Sequence, residues 1–391
     1  MKLVVVGFGQ CGGRIADEFA RLNRRARGQR GIDIIGGAFA VNTDVADLSG
    51  LTSIKPDYQH RILIGGRKTG GHGVGKINEL GAEIARDDGD KVIDTIRADK
   101  RFTEVDAFLL IAGAAGGTGS GSVAVISQHI KERYVDKPVY NLIVLPFEHE
   151  ETTEERTIYN SATCLKSSYL VADAVFLVDN QRYIMKDSSI ISNLSNINRV
   201  IATPFYNLLC AGEEKKHKYI GAKMLDAGDI IQTVAGWTAI GYGKSPIPFT
   251  KQFFSRKSNF RDKAGESQKG IQAMDEAISG LSLKCNPLDS KRALYLVSAP
   301  AKEMNVDLIK ELGTYLKSLA PEATIRSGDY PREKGSLDVT IILSELSDVE
   351  KIRSYFTKTI GLISTLKKRH EGVESKYKGI EVTLKDIPSL L

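Results

Sequence analysis

Residues 113–122 read Gly-Ala-Ala-Gly-Gly-Thr-Gly-Ser-Gly-Ser and follow directly on the apolar run 107–112. Glycine lets a backbone approach a ligand closely and take up positive φ. The helical spacing from Ser122 through Lys131 adds a helix N-terminus, with unpaired N–H groups and the positive end of a dipole. Together these make a cradle for phosphate. A tight strand-to-helix turn needs one or two glycines. Five of them, with Thr118, Ser120 and Ser122, point beyond packing. The groups that would do the binding are backbone N–H groups at Ala114, Gly116, Gly117, Thr118 and Gly119. No Lys lies between Gly113 and Ser122, so the loop is not a Walker P-loop.

Each further candidate follows an apolar run in the same way. Glycines at 7, 9, 12 and 13 miss the Gly-x-Gly-x-x-Gly spacing, yet the N–H groups from Gly9 through Gln10, Cys11, Gly12, Gly13 and Arg14 fall at a helix start and suit a diphosphate. Asn42-Thr43-Asp44 suits a helix cap, a ligand contact or both. The stretch 69–75 contains Gly73, Val74 and Gly75 and is a candidate switch ordered by one extra phosphate; His72 fits a mobile surface loop equally well. Glu150, Glu151, Glu154 and Glu155 crowd a helix start, where carboxylates favour the dipole. Asn180 and Asn198 carry amides that can meet both donor and acceptor edges of a purine, with Asn193 and Asn196 as competitors for Asn198. Asp226 and Asp229 read by themselves as an N-cap pair opening a helix.

The elements that must position these residues alternate. Strands are predicted over 2–6, 35–41, 61–64, 107–112, 139–145 and 174–178, and helices over 12–23, 76–86, 122–135 and 154–170. Continuous apolar strands suit a parallel sheet buried on both faces, and ligands bind such sheets at the carboxyl ends of the strands. This is an open, mainly parallel, Rossmann-like α/β sheet. A central helix over 192–212 follows, in which Pro204 predicts a kink or a later start. The remainder reads as a smaller α+β domain, with strands over 291–299, 323–327, 337–343 and 380–384, helices over 306–319 and 349–365, and a long polar loop over 251–272.

At 391 residues two domains are expected. The net charge of +6 is scattered and not interleaved with aromatics, which gives nucleic-acid binding little support. No run of about 18 apolar residues suggests a transmembrane span. Cys11, Cys164, Cys210 and Cys285 are far apart and read as thiols in a reducing cytosol, and no Cys/His metal site is visible.

Several of these segments together resemble one family. Gly116-Gly-Thr-Gly-Ser-Gly121 is similar to the tubulin/FtsZ signature, Gln10-Cys11-Gly12 to tubulin's first loop, and Asn42-Thr43-Asp44 and Pro146-Phe147 to FtsZ. The stretch 179–182 resembles the Asp-Asn of tubulin and the Asn-x-Arg of FtsZ. Residues 223–229 resemble the FtsZ synergy loop, with Met224 in place of its Asn. Gln10-Cys11-Gly12, the segment 218–223 and the altered loop resemble most the archaeal CetZ branch.

The resemblance implies a GTP-binding domain over 1–191, a central helix and connection over 192–225, and a C-terminal domain over 226–391. It implies GTP/GDP and Mg²⁺ as cofactors, and guanine read by Asn180 and Asn198. Counting back from Ala162, it implies a ribose contact at Glu154, with Ile158 where the family has Arg. It further implies a cytoplasmic, cytoskeletal head-to-tail homopolymer, acting in cell shape or division. Asp226 and Asp229 would complete the neighbour's site for hydrolysis. Two alternatives are a dinucleotide-binding oxidoreductase and a polymerising protein with negligible hydrolysis.

Overall fold

Six apolar runs become six parallel strands in the computed structural model, which describes residues 1–184, 190–247, 260–333, 335–371 and 388–390. The chain divides into two units. The first comprises residues 3–21, 35–199 and 349–391, and the second residues 1–2, 22–34 and 200–348.

In the first unit, β1 (Leu3–Phe8), α1 (Gly9–Arg30), β2 (Ile35–Asn42), α2 (Val45–Ser49), β3 (Arg61–Leu63), α3 (Gly66–Thr69), α4 (Asn78–Asp87) and α5 (Gly89–Arg97) come first. Then come β4 (Ala107–Gly113), α6 (Thr118–Arg133), β5 (Val139–Leu145), α7 (Glu148–Thr153), α8 (Glu155–Val171) and β6 (Ala174–Asp179). The strands lie in the order β3-β2-β1-β4-β5-β6. Their direction of winding reverses between β1 and β4, the point where such sheets bind ligands. Every residue of β1, β5 and β6 is buried, which is why these strands read as unbroken apolar runs rather than as alternation.

Helix α6 is buried along most of its length and crosses α4 backbone to backbone. A Cβ on Gly81 would overlap the Gly117 carbonyl, and one on Gly121 would overlap the Asn78 carbonyl. The unit is closed by α13 (Glu350–Glu371), which packs on α8. There the Glu151 carboxylate accepts from the Tyr355 hydroxyl and pairs with Lys351 and Lys358, both at 3.5 Å. Burial and Glu151 together push the Tyr355 phenol upward.

The second unit holds a mixed sheet of β7 (Gly236–Pro246), β8 (Ser290–Ser298), β9 (Thr324–Asp329) and β10 (Ser336–Leu346). The order is β7-β10-β8-β9, with β10 antiparallel to both neighbours and β8 parallel to β9. Helices α11 (Phe260–Ser279) and α12 (Val306–Leu319) pack on it. The short α10 (Ala227–Thr233) precedes β7, and α9 (Ile190–Ala211) contributes residues to both units.

Three expectations change. Of the polar stretch expected as a loop, residues 251–259 lie outside the described residues and the rest forms α11 from Phe260 onward; its buried Ala273, Met274 and Ala277 come just past the window. Helix α9 does not start late. It runs through Pro204, and the burial of Ile201, Phe205, Leu208 and Leu209 outweighs a proline penalty of about 3 kcal/mol. Strand β7 is an addition. The strand expected over 380–384 lies outside the described residues. No helix among the described residues is long and apolar enough to cross a membrane.

The helix crossing gives a paired prediction. Gly121→Ala should cost about 1–3 kcal/mol by overpacking. Gly28→Ala, in α1 with nothing within 4 Å of its added Cβ, should gain about 0.5–1 kcal/mol. Urea unfolding of both variants checks the contrast; equal effects would show that the crossing is not as tight as described.

Candidate functional site

The loops after β1 and β4 meet at the reversal point through bare backbone. Gly9 has φ +66° and opens α1; a Cβ there would lie 3.1 Å from the Gly119 nitrogen. One on Gly119 would lie 2.8 Å from the Phe8 carbonyl oxygen, and one on Gly12 would overlap the Ile111 carbonyl. The starts of α1 and α6 are thereby held side by side. Neither has an acid in its first turn, and Gly117 gives α6 no side-chain cap. In contrast, Asp44 caps α2, and Glu148, Glu150 and Glu151 fill the first turn of α7. Two unblocked N-termini that converge form a positive cradle.

Packing explains more of the glycine loop than its composition suggests. Besides Gly119 and Gly121, Gly117 is required by its neighbours: an added Cβ would lie 2.5 Å from Val74 Cγ2 and 2.9 Å from the Ile77 nitrogen. At Gly113 it would lie 3.0 Å from Cys11 Cβ. Gly116 alone of the five faces open space, with nothing within 4 Å. Its missing side chain is the one that protein contacts do not account for. Ala114 is buried, while Gln10 and Arg14 are exposed at the start of α1.

The second and third loops brace this cradle. The Asn42 side chain accepts from the Thr43 nitrogen at 2.8 Å and donates to Asp47 at 3.1 Å, and Asp47 also accepts from Gln10 Nε2 at 2.7 Å. The Thr43 and Thr118 hydroxyls are 2.6 Å apart. The Gly73 nitrogen donates to the Thr43 carbonyl at 3.0 Å, and Val74 is buried against Gly117. Gly70, Gly71, Gly73 and Gly75 all have positive φ, and so does Lys76, which is not glycine.

The four acids separate by partner. Glu150 accepts from the Phe147 nitrogen at 2.9 Å, and Glu151 is held by α13. Glu155 opens α8. Glu154 alone reaches the third loop, pairing with Lys76 Nζ at 2.6 Å. Sequence reasoning missed Arg156, which donates to the Lys76 carbonyl at 2.9 Å. It also missed the buried Asn160, which donates to carbonyls of both Gly-rich loops. A polar amide inside an otherwise buried helical stretch was the available signal.

Asn180 lies in the turn after β6, and its Oδ1 is buried without a partner. Asn198 is half-buried on α9. Of its competitors, Asn196 accepts from Arg199 at 2.7 Å, while Asn193 keeps an unpartnered buried Oδ1.

Asp226 and Asp229 lie in the second unit, apart in the chain from every Gly-rich loop. Asp226 caps α10, accepting from the Asp229 nitrogen at 2.9 Å. Asp229 pairs with Arg326 at 3.0 Å. Nothing among the described residues of this second unit offers a glycine loop at a helix start. No group of three or more His, Cys, Asp or Glu among the described residues could hold a metal ion. A divalent ion at the cradle would therefore draw its ligands chiefly from phosphate and water, as Mg²⁺ commonly does.

Residues 2–186 match the model of the tubulin/FtsZ family GTPase domain, and residues 187–360 that of the tubulin-like CetZ C-terminal domain. The tubulin-like protein CetZ1 of Haloferax volcanii is 33% identical over 373 residues, covering 90% of each chain. The chain belongs to the tubulin/FtsZ family, in its CetZ branch. Among solved CetZ structures, the GDP-bound monomer of CetZ1 from Haloferax volcanii superposes with a TM-score of 0.78 at 30% identity, covering 93% of this chain and all of that one. The GTPγS-bound protofilament of CetZ2 from the same organism gives 0.79 at 27%, covering 94% and all of that chain.

Within this CetZ-branch chain, two predictions follow from the site. Gly116→Val should leave the unfolding midpoint unchanged and weaken nucleotide binding by about 1–3 kcal/mol, roughly ten- to a hundredfold. Calorimetric titration decides it: unchanged affinity would show that the open face of the loop meets no ligand.

The second concerns pH. Burial pushes the Cys11 thiol up to about 12, with Glu150 adding to the effect and Arg14 opposing it. Burial likewise takes Cys164 to about 12 and Cys210 to about 11. Their ordinary value is 9.0, so the native state keeps protons that the unfolded chain releases above it. Stability must fall as pH rises from about 9 toward 12. A urea midpoint that stays level across that window would contradict this.

Proposed function

We propose that this chain binds GTP in the cradle between α1 and α6 and polymerises head to tail as a cytoskeletal protein of cell shape or division. The observation that carries the reading is the side-by-side placement of two acid-free helix N-termini, Gly9 of α1 against Gly119 of α6, beside a loop in which Gly116 faces open space. Backbone N–H groups of residues 10–14 and 114–119 hold the phosphates. Glu154 reaches the ribose. The unpaired Oδ1 of Asn180 suits the N–H edge of guanine, with Asn198 supplying the second amide. Gly73 to Gly75 sense the terminal phosphate. Mg²⁺, when bound, neutralises charge on the phosphates.

Hydrolysis is proposed to occur between subunits. Heterologous contacts that repeat without closure give filaments, and they bring the Asp226–Asp229 turn of one subunit to the cradle of the next. An acid there orients water in line with the terminal phosphate. A second reading, polymerisation with negligible hydrolysis, draws on the exposed Met224, where the family has Asn, and on the Asp229–Arg326 ion pair.

Sedimentation and phosphate release with GTP, GDP and NAD in parallel test the proposal. GTP should drive pelleting, and release per subunit should rise with protein concentration. Asp229→Ala should bind GTP as the wild type does, release phosphate more slowly and keep filaments longer. A per-subunit rate that is flat from dilute to concentrated protein excludes catalysis across the contact. A rate at background in pelleting wild type selects the second reading, and tight NAD binding without pelleting sinks both.

A further inference from the structure

We propose that Asn160 is a positioning residue that sets the peptide planes of the loop after β4 and couples that loop to the one before α4. The proposal rests on the nucleotide-binding reading above. Asn160 is fully buried on α8. Its Nδ2 donates to the Ala115 carbonyl at 3.0 Å, the Gly116 carbonyl at 3.2 Å and the Lys76 carbonyl at 2.9 Å. One NH₂ group, with two protons, is thus shared by three carbonyls from two loops that are far apart in sequence.

The consequence for the cradle follows from peptide geometry. In a planar trans peptide the carbonyl of one residue points opposite to the N–H of the next. Turning the carbonyls of Ala115 and Gly116 toward Asn160 turns the N–H groups of Gly116 and Gly117 away from it. Those N–H groups belong to the stretch that has an open face at Gly116. Without Asn160 the Gly116 carbonyl keeps the Ser120 hydroxyl as a donor, while the Ala115 carbonyl loses its side-chain donor, and that peptide is the freer to turn its oxygen toward a phosphate in place of an N–H. Pre-set donors cost no reorganisation when the ligand arrives.

The Lys76 end has its own reason to be gripped. Lys76 has φ +61° without being glycine, a left-handed conformation that needs surrounding structure to persist. Its carbonyl accepts from Arg156 as well as Asn160, and its ammonium pairs with Glu154. The first turns of α8 therefore fix the strained end of the 70–76 loop, and Asn160 passes that restraint to residues 115 and 116. Ordering one loop stiffens the other.

Full-length protein tests this with hydrogen exchange and nucleotide titration. In nucleotide-free protein, Asn160→Ala should speed exchange in both 70–77 and 113–121 and leave strand peptides of β1 and β5 unchanged. Arg156→Ala, which removes one of two side-chain donors to the Lys76 carbonyl and the ion pair with Glu79 but no bond to residues 113–121, should speed exchange in 70–77 and leave 113–121 unchanged. Asn160→Ala should weaken GTP binding roughly tenfold and change the ratio of GTP to GDP affinity, which a filler of space would not do. Asn160→Ser, able to donate to one carbonyl, should fall between, and it carries the test if the alanine variant does not fold. If the wild type binds GTP and the Asn160 variants bind both nucleotides unchanged, or if exchange rises in one loop only, the proposal is overturned. If the wild type does not bind GTP, the proposed function fails, and the exchange data alone decide the coupling.

Discussion

Backbone touching backbone at the carboxyl ends of β1 and β4 is the constraint on which the first unit depends. Gly9 against Gly119, Gly12 against Ile111, Gly117 against Ile77 and Gly121 against Asn78 leave no room for a Cβ at any of these crossings. Interiors pack at crystal-like density, so such contacts fix positions to within a few tenths of an ångström. They bring two helix starts together and hold α4 against α6. The polar side chains that brace the loops, Thr43 on Thr118 and Asp47 between Gln10 and Asn42, work only because the backbone has already placed them.

Charge is distributed in keeping with that arrangement. Acids cap or fill the first turns of α2 and α7 but are absent from those of α1 and α6. A carboxylate at either of the latter would neutralise the dipole and compete with an anionic ligand. The neighbouring acids are committed elsewhere: Glu150 to the α7 start, Glu151 to α13, Glu154 to Lys76. The two helix starts therefore keep their positive dipole ends free of carboxylates of their own, and the exposed Arg14 is the one cationic side chain in their two loops.

The parallel strands were legible because burial on both faces leaves only apolar residues to choose from, as in 107–112 and 174–178. β7 was not, for a tertiary reason. A Cβ at Gly241 or Gly243 would overlap the backbone of α11, so the strand carries glycines where propensity asks for β-branched residues. The Gly-rich loop was legible as a special turn, but composition could not separate glycines that serve packing from the one that faces open space. That distinction needs to know what lies opposite each residue. Arg156 and Asn160 were hidden for a similar reason: what they brace the loops through are carbonyls, and carbonyls leave no trace in residue types. Asp229 was legible as an acid in a turn, and its pairing with Arg326, distant in the chain, was not.

The first unit is interrupted in the chain: it takes residues 3–21 and 35–199 and then, after the whole of the second unit's main segment, residues from 349 onward. Helix α13 is thus made after every other helix and strand among the described residues, yet it covers α8 and supplies the partners of Glu151 and, through Lys351 at 3.1 Å, of Asp179. Until it emerges, the nascent first unit presents α8 uncovered and two carboxylates without their cations. Domains commonly fold in order of synthesis, N-terminal first. Here the earliest-made sheet must wait for α13, so completion of this packing reports that the whole intervening chain has been translated.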